Sequence, residues 1–235
     1  MGVRIGDKHS DDFGLFMTNF EIEAPTPQTY LIDVPGRNGS IDLTEALGTV
    51  KYKNRSIKMD FIHKDATPHE WHEIYSELLS LYHGKRTEII FDADADYYYS
   101  GRLTVSGSKE DQIHSSVTIT ADCDPYAYEV QDRGEPWKWD SFNFETGVIY
   151  SSNYIDISVN GTKRFNFDFN GQMPVVPTFE LISGACKVTY RGVPYTLKTG
   201  TNRFPELIVD DSGVKYAILT GTNATLTIHY KGGKL

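Results

Sequence analysis

In the 235 residues of this chain, one stretch carries the full signature of a long helix, and the rest must fold around that restriction. The segment "TPHEWHEIYSELLSLYHGKR" opens with Thr67 as N-cap, Pro68 at the first helical position and Glu70 placed to complete a capping box. Trp71, Ile74, Leu78, Leu81 and Tyr82 recur at three- and four-residue steps along one face. Gly84 supplies the stop, and Lys85 and Arg86 lie at the negative end of the helix dipole. The apolar face of this helix needs a sheet to cover it.

Sheets are what the remaining text offers. "NFEIEA", "QTYLIDV", "RSIKMDFIH", "TEIIFDA", "YYYSGRLTVSG" and "HSSVTITADC" are short, rich in β-branched and aromatic residues, partly alternating and bounded by turn residues. From Trp137 onward the pattern is strands and turns alone: "NYIDISV", "TFELIS", "CKVTYRG", "PYTLKTG", "ELIVDD", "KYAILTG" and "ATLTIHY". Their spacing predicts an antiparallel β-sandwich of about 100 residues. Between the halves, Pro125, Gly134 and Pro136 interrupt any regular element and the charge balance changes. This places a linker near Glu129 to Glu135 and predicts two domains, residues 1–134 and 135–235.

With 39% hydrophobic and 13% aromatic residues, both domains can fill a core without metal or disulfide staples. Cys123 and Cys186 stand far apart, which is no disulfide framework, and both read as free thiols in a reducing compartment. The N-terminus has no apolar signal core, and no window reaches the roughly 18 apolar residues of a membrane span. Gly6 breaks the myristoylation pattern that "MG" begins, and the sequons at Asn38, Asn54, Asn160 and Asn223 need a secretory route to matter. Residues 1–134 carry 13 basic against 23 acidic side chains, and residues 135–235 carry 10 against 9. An acidic first half lacks the clustered cations that hold DNA.

Motifs that suggest chemistry fail at required positions. "DADAD" (Asp92, Asp94, Asp96) begins like a calcium loop, but Tyr97 stands where the turn wants Gly and Leu103 where a bidentate Glu is needed. The alternative is an acidic hairpin loop. In "HEWH" the histidines (His69, His72) are three apart, not four, and Glu70 is taken by the cap. No nucleophile elbow, phosphate loop or dinucleotide turn occurs, and adjacent Asp210 and Asp211 point to opposite faces of a strand. Neither catalysis nor a cofactor is expected. The aromatics of the second half, led by Trp137 and Trp139, read either as core and interface residues or as a platform for stacking sugars.

Four stretches, taken in order, resemble one family: "RNGSIDLTEALG" (Arg37 to Gly48), the helix of Trp71 with its following "YHGKR", the hairpin "FDADADYYYSGRLTV", and "ADCDPYAY" (Ala121 to Tyr128). The chain is similar to the distal tail proteins of siphophages and prophages of Gram-positive bacteria. That resemblance implies a mainly β fold: an N-terminal β-sandwich or split-barrel-like domain with one α-helix and an extended arm, then a galectin-like antiparallel β-sandwich. It also implies a homo-hexameric ring at the virion tail tip, assembled in the host cytoplasm. The ring would join the tail tube protein to a tail-associated fibre or lysin protein, and in some relatives to receptor-binding proteins. DNA would pass through it unbound.

On that reading the aperiodic tract after "DVPG" gains a role. Pro35, Gly36 and Gly39 let the chain leave its sheet, and Ile41, Leu43 and Leu47 are apolar in a connection too long to be idle. Arg37, Ile41, Leu43 and Leu47 become the expected contacts of an arm laid across a neighbouring subunit. The competing expectation is a lectin-like module that contacts cell-wall sugars through Trp137 and Trp139, with the first half as scaffold.

Overall fold

The computed structural model describes residues 2–46, 48–64, 66–107, 115–136, 152–169, 173–210 and 213–235. The chain is mainly β, and its described residues hold one α-helix, several antiparallel sheets and two compact units that divide after Ala127.

In the first unit the strands are β1 (Val3–Ile5), β2 (Lys8–His9), β3 (Phe16–Ile22), β4 (Pro27–Gln28), β5 (Leu31–Ile32), β6 (Ile41–Asp42), β7 (Lys51–Tyr52) and β8 (Arg55–His63). Helix α1 (Pro68–Tyr82) follows, then β9 (Arg86–Phe91), β10 (Tyr97–Gly107) and β11 (Ser115–Cys123). Seven of these strands form one sheet in the order β2-β1-β9-β10-β11-β8-β3. Period-two alternation explains why β8 and β11 pair over nine rungs, from Arg55 opposite Cys123 to His63 opposite Ser115. Ile57, Met59 and Phe61 point inward with Val117, Ile119 and Ala121, so a slip by one residue would turn that whole set to water.

The helix is capped as its sequence requires. The Thr67 side chain accepts from Glu70 N–H, and the Glu70 carboxylate accepts from the Thr67 amide and hydroxyl at 2.8 and 2.7 Å. Those bonds hold the Glu70 carboxyl below the usual range. Its buried stripe differs from expectation at three positions. Trp71, Tyr75, Leu78 and Tyr82 are buried, whereas Leu81 is 37% exposed and Ile74 half-buried. Tyr75 and Tyr82 take the inner positions because their hydroxyls reach backbone acceptors, Gly107 O at 3.2 Å and Ile5 O at 3.1 Å.

The second unit begins in β12 (Ala127–Glu129) and contains β13 (Ile157–Asn166), β14 (Thr178–Tyr190), β15 (Val193–Thr196), β16 (Gly200–Arg203), β17 (Tyr216–His229) and β18 (Gly233–Lys234). Its five-stranded sheet runs β13-β17-β14-β15, with β16 also on β14. Two pairs of expected strands have fused. "TFELIS" with "CKVTYRG" is the single strand β14, and "KYAILTG" with "ATLTIHY" is β17. Their apparent turns face each other as bulges, where the register shifts at Leu181/Ser183 and Ser183/Ala185. A Cβ on Gly184 would stand 2.2 Å from Asn223 O, so this crossing needs glycine.

The stretch expected to be a linker is built into this second unit. Glu129 and Arg133 are 1% and 3% exposed, and Arg133 donates to Glu129 at 2.8 Å. Glu129 also accepts from Gly232 N–H at 2.9 Å, while its own amide bonds Gly232 O at 3.0 Å. The Arg133 guanidinium lies over Tyr230, whose hydroxyl donates to Asp168 O at 2.7 Å. His229 adds a second tie, with one ring nitrogen 3.1 Å from Asp132 and the other 3.3 Å from Glu180.

Candidate interaction surface

Between β3 and β8 the first unit extends a long hairpin. Its root is a pair of rungs, Pro27 opposite Tyr52 and Gln28 opposite Lys51, and its outer half is another pair, Leu31 opposite Asp42 and Ile32 opposite Ile41. Backbone bonds from Glu23 to Ser56 O and from Lys53 to Thr26 O hold the root, and the Tyr52 and Tyr126 rings meet edge to face at 6.2 Å.

Short polar contacts shape the outer half. Ser40 donates to Asp33 at 2.7 Å, and Gly36 and Gly39 take positive φ of 82° and 78° at the tip. Asp42 accepts from the Thr44 amide at 2.8 Å, and the Thr44 side chain and amide keep its carboxyl below the ordinary range. The Tyr30 amide in turn bonds the Thr44 hydroxyl, and the Leu43 amide bonds Tyr30 O.

What this scaffold presents is apolar. Tyr30, Leu31, Ile32, Val34 and Leu43 are all exposed, Leu31 by 60% and Tyr30 by 57%. Tyr30, Leu31, Ile32, Leu43, Ala46 and Thr49 line an open concavity of about 590 Å³. Exposed apolar side chains gathered around one concavity make this hairpin the candidate contact surface of the unit.

Of the expected arm residues, Arg37 is exposed at the tip, Ile41 is half-buried and Leu43 is exposed; Leu47 lies outside the described residues. The tract is not free of regular structure, because β6 pairs with β5. Sequence reading missed Tyr30, Leu31, Ile32 and Val34, which supply most of the patch. "TYLIDV" has strand composition but three consecutive apolar residues between Pro27 and Pro35, and that lack of alternation was the available signal.

Asp92 accepts from Gly2 N–H at 2.8 Å and lies 3.1 Å from His9 Nε2. His63, His69, Glu70 and Glu73 border a shallow depression, and no cluster of metal-ligating geometry occurs among the described residues. Burial pushes the Cys123 thiol up to about 12 and raises that of Cys186, so neither is an activated nucleophile.

Trp137 and Trp139 lie outside the described residues. Among the described aromatics of the second unit, Tyr154, Phe165, Phe167, Tyr190 and Tyr230 are buried and interlock edge to face. Tyr216 is covered by Arg164 at 3.8 Å.

No family model and no curated protein matches the sequence. Among solved structures, the chain is similar to the crystal structure of SPP1 Dit (gp 19.1), presented as a paradigm of the hub adsorption apparatus in phages infecting Gram-positive hosts. The TM-score is 0.65 at 13% identity, over 100% of this chain and 99% of that one. The likeness therefore extends through both units, and what the chain shares with Dit is a fold.

Proposed function

We propose that this chain is a non-enzymatic structural protein of a phage tail tip, a hub whose copies close into a hexameric ring. The first unit forms the ring, and the second, a galectin-like sandwich, lies outside it. The ring joins the tail tube protein to a tail-associated fibre or lysin protein and to receptor-binding proteins, and it leaves a channel for DNA.

The observation that carries this reading is the apolar hairpin on a chain of Dit fold. Its exposed side chains need a partner, and a hairpin reaching on the order of 30 Å from its root meets one on the next copy. Head-to-tail contacts of this kind are heterologous and generate a ring when the rotation closes. The acid excess of residues 1–134, 23 against 13, suits a channel wall that must not hold DNA. A sugar-binding role has less support, because Tyr154, Phe165, Phe167, Tyr190 and Tyr230 are buried, Arg164 covers Tyr216, and Tyr195 and Phe204 are half-buried against each other.

Electron microscopy of the purified full chain, with mass from light scattering, tests the proposal. Six-fold rings are expected; a monomer at every concentration would refute it.

A further inference from the structure

At the root of the hairpin sits a buried cation that no described residue neutralises. Arg55, three residues after the end of β7, is 5% exposed. Its Nε and Nη2 are shut off from solvent, and neither has a hydrogen-bond partner among the described residues. No carboxylate of those residues stands within ion-pair distance of it. The guanidinium carbon lies 5.6 Å from the centre of the Tyr99 ring, and the last rung of the β8–β11 ladder sets Arg55 opposite Cys123.

Either neighbour would serve as a counter-ion if it ionised. Burial instead raises the Tyr99 phenol, against the pull of Arg55 itself, and pushes the Cys123 thiol up to about 12. The acids that flank Cys123 are turned elsewhere. Asp124 is paired with Arg86, and Asp122, one residue out of phase on β11, is exposed on the other face. A desolvated guanidinium with no anion is unfavourable for the isolated fold, and an apolar side chain of similar length would serve that fold better.

We infer that Arg55 is a socket for a carboxylate supplied by a second copy of this chain, carried on the outer half of that copy's hairpin. The inference rests on the hairpin being the contact between copies, as proposed above. Asp33, Asp42 and Glu45 lie on that outer half, and a head-to-tail arrangement lays it over the next hairpin's root. Residues 1–134 have acids in excess, so buried cations are the scarce component and their placement sets the register of assembly.

The test compares full-length Arg55→Met and Arg55→Lys with the unaltered chain. In dilute, unassembled protein, Arg55→Met should melt at the same temperature or higher, while the concentration for half-assembly rises roughly tenfold or more. Arg55→Lys keeps the charge and should restore part of the assembly. Neutralising the hairpin acids together (Asp33→Asn, Asp42→Asn, Glu45→Gln) should weaken assembly and add nothing further to Arg55→Met. A lower melting temperature for dilute Arg55→Met would show that Arg55 serves its own fold and would overturn the inference. Unchanged assembly of Arg55→Met, or full additivity with the acid variant, would also overturn it while leaving the hairpin reading intact. A wild-type chain that never associates removes the hairpin reading, and this one with it.

Discussion

Two segments with similar sequence character meet opposite fates. Residues 23–53 and residues 128–136 are both rich in turn residues and lack a clear period, yet the first carries bare apolar side chains outward on a hairpin and the second carries a charged pair inward. In the hairpin, Tyr30, Leu31 and Ile32 are exposed over two short ladders. In the other segment, Glu129 and Arg133 are buried four residues apart and bonded to each other, with Gly232 donating to Glu129 and the Tyr230 ring beneath the guanidinium. Apolar residues in water and charges in a core are each unfavourable alone. The difference is that the charged pair finds its contacts within the unit, whereas the hairpin's apolar side chains stay exposed.

Breaking the inward segment should have the larger effect on stability. Arg133→Ala leaves Glu129 buried without its cation and should lower the stability of the second unit by about 3–5 kcal/mol. Glu129→Gln with Arg133→Met, which removes the charges and keeps an acceptor for Gly232, should recover most of that loss. For the same reason a fragment of residues 128–235 should fold, and one of residues 135–235 should melt far lower. Urea unfolding of the four proteins checks this, and equal midpoints would mean the segment is a linker after all.

The alkaline side of the stability curve comes next. Burial raises the Cys123 thiol from about 9 to about 12 and, with Glu77, Asp12 and Asp7 nearby, the Tyr82 phenol from about 10 to about 12. The folded state prefers both groups protonated, so their contribution is fully present below about pH 9 and is lost as pH rises toward 12. Unfolding free energy from urea titration should fall across that window by a few kcal/mol in total, and Cys123→Ala should flatten the part between pH 9 and 10. An unchanged slope in the variant would exclude the thiol as its cause.

Changes in the outer half of the hairpin should barely register in the fold. Ser40→Ala removes the bond to Asp33 at an exposed tip and should alter melting by about 0.5 kcal/mol or less. A large destabilisation there would mean that the hairpin contributes to the unit's own core.

How much of this was legible follows from where the partners sit. The bounds of β8 and β10 stand in "RSIKMDFIH" and "YYYSGRLTVSG" because each alternates over a full strand, and the cap of α1 is local chemistry. The fusion within β14 and β17 was not legible. Ser183-Gly184-Ala185 and Gly221-Thr222-Asn223 read as turns until each is seen as the other's opposite across a bulged ladder. The Glu129–Arg133 pair was hidden likewise, since its burial depends on Gly232 and Tyr230 about a hundred residues away. For the hairpin, the Pro and Gly residues announced a departure from the sheet. Its most exposed apolar side chains lay in text with strand composition, where burial is the ordinary outcome.

The central claim is that the hairpin exists for contact between copies, and one comparison of masses tests it. Gln28 and Lys51 already face each other, so residues 29–50 can be replaced by a two-residue turn without disturbing the root. The full chain should scatter light as a hexamer, and the shortened chain should be a folded monomer with unchanged melting of both units. A shortened chain that still forms the same ring, or that unfolds, would contradict the account.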